Sequence, residues 1–248
     1  MMMNSDFLVG YDLDEWNYFG ERTPIVTDIS SDTTSHALIC GASGSGKSYF
    51  QAQFFARLVK AEPSGVFYFA DYKRDDSFAH LRGCTRYYPH KRTLDALDVL
   101  YSCMQARMSG EDETRHPVTL IWDEYIANIL SLMNEDKKKA EVVMNKVSEI
   151  LMDGRSMSVR LVISTQRPDA KAFPDGSRIN CGIIVVLGAF RRSVYEVALL
   201  EHLKEVQGRK FSRGEGSVWL ERSGLHFIKI PQVRDIAGMN DVCRLALS

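Results

Sequence analysis

The chain is 248 residues long, 45% hydrophobic, 25% charged and 10% aromatic, the composition of an ordinary globular domain and not of a disordered chain. Its 31 Lys+Arg against 32 Asp+Glu leave a net charge of −1, which excludes a protein that coats nucleic acid through a whole-surface cationic field. The five cysteines, Cys40, Cys84, Cys103, Cys181 and Cys243, are odd in number and scattered, with no C-x-x-C pair; they argue against a disulfide framework or a thiolate zinc site and for a reducing, cytoplasmic setting.

The start, Met1-Met2-Met3-Asn4-Ser5-Asp6, has neither the basic nor the apolar region of a secretory signal, and no apolar run approaches the roughly 20 residues of a membrane span. Strand-like stretches at 7–10 and 24–27 around an acidic turn predict a β-hairpin within a lead-in over residues 1–36. A core over residues 37–230 follows. Short continuous apolar runs at 37–40, 66–70, 118–122, 161–164 and 182–187, rich in β-branched and aromatic residues, predict strands buried on both faces. Helical periodicity lies between them at 49–60, 93–108 and 137–152, the last opening on Lys137-Lys138-Lys139, a solvated helix start after Glu135-Asp136. Strands at 217–220 and 225–230, joined by Glu221-Arg222-Ser223-Gly224, predict a closing hairpin, and residues 231–248 a C-terminal tail. With no internal repeat and no dividing linker, the expectation is a single α/β domain over 1–248: a mostly parallel sheet flanked by helices, with β-hairpins at both ends.

Gly41-Ala42-Ser43-Gly44-Ser45-Gly46-Lys47-Ser48 fits G-x-x-x-x-G-K-[ST] and lies between the strand at 37–40 and the helix at 49–60, the setting of a phosphate-binding loop. Its glycines let backbone N–H groups turn toward an anion, so Gly41, Ser43, Gly44, Ser45, Gly46, Lys47 and Ser48 are the candidate ATP-binding residues. Lys47 would reach the β- and γ-phosphates, and the Ser48 hydroxyl would join a Mg²⁺ shell. The strand at 118–122 delivers Asp123 to the metal side and then Glu124, placed to polarise water; the two carboxylates could also simply cap the helix from Tyr125. Gln166 ends the strand at 161–164, where an amide would face the same crevice and sense the γ-phosphate, or else serve as a turn residue before Arg167-Pro168.

These motifs, in this order, resemble the FtsK/SpoIIIE branch of the FtsK–HerA superfamily. His36-Ala37-Leu38-Ile39-Cys40-Gly41 is similar to the family's approach to its Walker A motif, and Phe69-Ala70-Asp71-Tyr72-Lys73 to its D-x-K element. Asp123-Glu124-Tyr125-Ile126-Ala127-Asn128-Ile129-Leu130 resembles its extended Walker B, and the stretch from Gly154 to Pro168 its R-x-x-G-I-H-L-x-x-x-T-Q-R-P signature, with Ser158 and Arg160 in place of Gly and His. The resemblance covers about residues 8 to 230. It implies a RecA-like P-loop NTPase fold and an ATP- and Mg²⁺-dependent DNA translocase. It further implies a homohexameric ring in which an arginine from one subunit completes its neighbour's site. Arg155 matches the family's arginine; Arg192 is the rival. With no spanning segment of its own and no room for a winged-helix module, the expectation is a compact cytoplasmic motor like those of conjugative elements, plasmids or packaging viruses, able to dock on a membrane or relaxase partner.

The charge distribution suits such a ring. Residues 153–192 hold seven cations against three carboxylates, a surplus of four in a chain of net −1. By the resemblance, the loop 169–180 would line the pore, with Lys171 and Arg178 as the DNA contacts. Phosphate contacts of this kind bind duplex DNA independently of sequence. Two other readings stay open: a protein-secretion ATPase of the same type, and a nucleotide switch that does not translocate.

Overall fold

The computed structural model describes residues 6–29 and 36–248; residues 1–5 and 30–35 of the expected lead-in lie outside the described residues. In chain order the strands are β1 (Asp6–Asp12), β2 (Pro24–Asp28), β3 (Ala37–Gly41), β4 (Val66–Asp71), β5 (Tyr87–Pro89), β6 (Val118–Asp123), β7 (Val159–Thr165), β8 (Ile183–Leu187), β9 (Glu215–Leu220) and β10 (Gly224–Lys229). The helices are α1 (Lys47–Ala61), α2 (Thr93–Ser109), α3 (Tyr125–Glu135), α4 (Lys137–Asp153), α5 (Arg192–Ala198), α6 (Leu203–Val206) and α7 (Ile236–Ala246).

The ten strands of the described residues belong to one sheet, ordered β2-β1-β10-β9-β8-β3-β7-β6-β4-β5. From β8 to β5 neighbouring strands run parallel, while β9, β10, β1 and β2 continue the sheet antiparallel, so both terminal hairpins join one edge of the parallel core. The strands β3, β6, β7 and β8 are buried along their whole length. That burial is what their unbroken apolar sequences require, because crossover helices cover both faces of a parallel sheet. Side chains alternate between the two layers: Leu38 and Cys40 of β3 face the core under α2, α3 and α4, and Ala37 and Ile39 face the core under α1 and α7. The α1 layer is aromatic, with Phe54 of α1 edge-on to Phe7 of β1 at 4.8 Å. This contact fastens the N-terminal hairpin to the helix that follows the phosphate loop.

Strand order decides where chemistry can occur. β7 lies between β3 and β6, with Cys40 opposite Thr165 and Trp122 opposite Ile163. The carboxyl ends of β3, β7 and β6 therefore open side by side on one edge, the edge at which parallel sheets bind ligands.

The structure departs from the sequence expectations in the short and the late elements. α5 and α6 have seven and four residues, too few to show a helical period. Residues 231–248, expected as a tail, carry α7, which is capped by Asp235 accepting from the Gly238 N–H at 2.8 Å and packs along α1. Arg160, counted among the basic residues of 153–192, is buried inside β7. Its guanidinium spans both Glu62 oxygens, at 2.6 and 2.8 Å, and the Ile29 carbonyl at 2.8 Å, so it adds nothing to the surface charge.

Candidate functional site

The phosphate loop, residues 41–48, turns from the end of β3 into α1 over Gly46, whose φ of 95° lies in the left-handed region that glycine enters without cost. Beneath it Lys47 and Ser45 are buried, and above it Ser43, Gly44 and Ser48 line a cleft of about 430 Å³. The walls of the cleft also include Glu124 and Gln166, so three separate strand ends meet there as strand order demands.

The floor is a buried ionic cluster. Lys47 Nζ stands 3.0 Å from Asp123 Oδ1 and 2.9 Å from Glu124 Oε1, and it donates to Ser164 Oγ at 3.4 Å. The Ser164 hydroxyl donates to the same Asp123 oxygen at 2.5 Å. Burial alone would pull the Lys47 ammonium down, but the charges of Asp123 and Glu124 outweigh it and hold the group above its ordinary value, fully protonated. The cation is thus parked on two carboxylates, in a place from which an incoming polyphosphate can draw it. Glu124 takes up a left-handed backbone, φ 56° and ψ 40°, at the junction of β6 and α3. For a non-glycine residue this is uncommon and unfavourable, and it aims the carboxylate into the cleft instead of along the helix. Glu124 holds the N-cap position of α3, yet its side chain makes no cap hydrogen bond.

Ser48 and Asp123 are hard oxygen donors, one neutral and one anionic. Among the described residues no group of three or more His, Cys, Asp or Glu is gathered for a metal. Such a sparse donor set suits Mg²⁺, which keeps several waters and takes its remaining oxygens from substrate phosphates.

Not every candidate residue lies in the cleft wall. Gly41 and Ser45 form the underside of the loop: a Cβ on Gly41 would fall 2.5 Å from Ser45 Oγ. Arg155 lies in a 3₁₀ turn (Gly154–Met157) before β7, its Nη1 3.6 Å from Glu221 Oε2. β7 has seven residues. At about 3.3 Å per residue that separates Arg155 from its own cleft by roughly 20 Å. Arg178 is partly buried and its Nε donates to the Val197 carbonyl at 2.8 Å, tying its turn to α5, whereas Lys171 is exposed. Arg192 pairs with Glu196 one turn along α5 at 2.7 Å.

Several residues of the site went unassigned from sequence. Lys73, Ser164 and Arg213 touch the cluster or the cleft, and Met239 and Asn240 of α7 close the cleft beyond Tyr49. For Lys73 and Ser164 a local signal exists, a polar side chain at the end of an apolar strand. None exists for Arg213 or α7, which the closing hairpin brings back across the sheet: the Gly214 N–H donates to the Ser45 carbonyl at 2.9 Å.

Comparison with known proteins agrees with this geometry. The sequence model of the FtsK/SpoIIIE family matches residues 17–110. The Ftsk domain-containing protein YdcQ of Bacillus subtilis (strain 168) is 28% identical over 224 residues, 79% of this chain and 44% of its own length. The chain therefore spans less than half of that relative. Among solved structures, the pCW3 conjugation coupling protein TcpA, in a monomer form with ATPγS, superposes with a TM-score of 0.70 at 17% identity, over 99% of this chain and 71% of that one. The cytoplasmic domain of the type VII secretion ATPase EccC of Thermomonospora curvata gives 0.65 at 18% identity, over 98% of this chain and 31% of that one. Strand order, phosphate loop and these likenesses agree: the chain has the mixed α/β fold of P-loop NTPases, and residues 17–110 resemble the FtsK/SpoIIIE family.

Proposed function

We propose that this domain hydrolyses ATP to move DNA, working in the cytoplasm as a homo-oligomeric ring, in the manner of a compact conjugation or mobilisation motor. The observation that carries the ATPase part is the convergence of Lys47, Glu124 and Gln166 on the cleft at the phosphate loop, with Asp123 paired to Lys47 in its floor. ATP would lay its phosphates along residues 43–48 and draw Lys47 away from the two carboxylates, exchanging one pair of counter-charges for another. Ser48 and Asp123 would hold Mg²⁺, which neutralises phosphate oxygens when bound. The freed Glu124 oxygen would then accept a hydrogen bond from the attacking water, and Gln166 would report on the γ-phosphate. Arg155 cannot serve its own cleft, so its proposed role is in a neighbour's site.

DNA as the substrate is supported by the cations left exposed after β7 and β8, namely Arg167, Lys171 and Arg191, and by the resemblance to DNA-moving ATPases. The likeness to EccC keeps protein translocation as the second reading. Lys47→Ala and Glu124→Gln should each abolish hydrolysis with the fold intact by circular dichroism. In the wild type, duplex DNA should raise turnover, and the stimulation should collapse between about 50 and 200 mM salt as phosphate contacts are screened. Turnover indifferent to DNA would sink the DNA reading, and persistent hydrolysis in either variant would sink the site.

A further inference from the structure

We infer that Lys73 is a positioning residue for hydrolysis, holding Glu124 in place once Lys47 has turned to the phosphates; this rests on the ATPase reading above. The Glu124 side chain is only 5% exposed, and its two oxygens are divided between two cations: Oε1 is 2.9 Å from Lys47 and Oε2 is 3.3 Å from Lys73. A buried carboxylate stripped of its counter-charge is strongly disfavoured. When ATP takes Lys47, Lys73 is the cation that remains on Glu124. Because it grips the far oxygen, it leaves Oε1 directed at the cleft, and Lys73 itself is absent from the cleft wall. It acts on the reaction through Glu124 and not on the nucleotide.

The loop that presents Lys73 is built for that placement. Asp71, at the end of β4 and opposite Asp123 in register, is fully buried. One of its oxygens accepts the Asp75 N–H at 3.2 Å and the other accepts the Tyr87 hydroxyl at 2.7 Å. Between these anchors Arg74 adopts a left-handed backbone with φ 55°, so a strained non-glycine residue stands on each side of the ion pair, Arg74 next to Lys73 and Glu124 itself. The Lys73–Glu124 contact thus joins two turns, one of them anchored independently by Asp71, so Lys73 is held facing Glu124.

The test is steady-state ATP hydrolysis by the full chain, with Glu124→Gln measured alongside. Lys73→Met should lower kcat by on the order of 10-fold to 100-fold, the range expected when a reacting group is misplaced. KM and the affinity for a non-hydrolysable ATP analogue should stay within about twofold, since Lys73 does not line the cleft. Lys73→Arg, which keeps a cation within reach, should recover most of the rate. Lys73 is 42% exposed, so the variants should fold, and an unchanged melting temperature verifies this. Wild-type kcat in Lys73→Met, a loss of analogue binding that matches the loss of rate, or an Arg variant no faster than Met overturns the inference. If Glu124→Gln still hydrolyses ATP, it is the ATPase reading itself that fails.

Discussion

His36, the residue that leads into β3, is wholly buried, and its Nδ1 accepts the Leu161 N–H at 3.0 Å. Burial first, then the nearby guanidinium groups of Arg160 and Arg155, lowers its pKa to about 3. In the unfolded chain the imidazole takes its proton near its ordinary value of 6.5. Between those two values the unfolded state binds more protons, so stability rises with pH. The contribution is complete above the unfolded value and is lost as pH falls toward about 3. From pH 7 to 4.5 the loss should be about 3 kcal/mol, ample to shift a urea midpoint. His36→Gln removes the proton-binding site, so its stability should fall less steeply by about that amount across the same window. Urea titrations of both proteins at the two pH values check this; parallel slopes would show that His36 is not the acid-labile group.

At the level of elements, the phosphate loop is braced from below by the ends of β8 and β9. The Gly188 N–H donates to the Glu215 carbonyl at 2.8 Å, and a Cβ on Gly188 would stand 2.7 Å from the Ser45 Cβ. Gly188 also has φ +85°, where a side chain adds roughly 1–2 kcal/mol of strain. Gly188→Ala should therefore push Ser45 and the loop upward, weakening ATP-analogue binding about tenfold and lowering stability by roughly 2 kcal/mol; equilibrium dialysis and thermal melts measure the two. This brace marks the boundary of what the sequence reveals. β3, β6, β7 and α1 could be read because their signals are local: an unbroken apolar run, a glycine-rich turn, an apolar period of 3.6. Asp123 and Glu124 followed because they directly continue such a run. The position of β7 between β3 and β6, the contact of β9 with the loop and the packing of α7 on α1 could not be read, since each depends on pairing between segments distant in the chain. β5, with three residues, is too short to carry a pattern at all. Arg160 misled the surface-charge reading because nothing next to it in sequence announces Glu62, its partner 98 residues away.

At the scale of the whole molecule, a near-zero net charge and a cationic surplus in 153–192 acquire a narrower meaning once Arg160 is buried, Arg178 is tied to α5 and Arg155 faces Glu221. The surplus divides into structural cations, a few exposed ones, and one arginine held at the amino end of β7, away from its own cleft. In the ring proposed above, a side chain in that position would act on hydrolysis across a boundary between subunits, where a guanidinium placed against the transferring phosphoryl group would stabilise its charge. That gives an asymmetric expectation for mixtures of inactive chains. Lys47→Ala lacks a working phosphate loop but still carries Arg155; Arg155→Ala has an intact loop but no arginine to offer. Each alone should hydrolyse ATP at least about 100-fold more slowly than wild type. Mixed in equal amounts with DNA, they should regain on the order of a quarter of wild-type turnover, because in a randomly mixed head-to-tail ring about one interface in four joins a sound cleft to a neighbour's arginine. The regained rate should vanish on dilution below the assembly concentration. If Arg155 worked within its own chain, or not at all, the mixture would give no more than the average of its two components, and titrating one variant against the other at fixed total protein separates these outcomes.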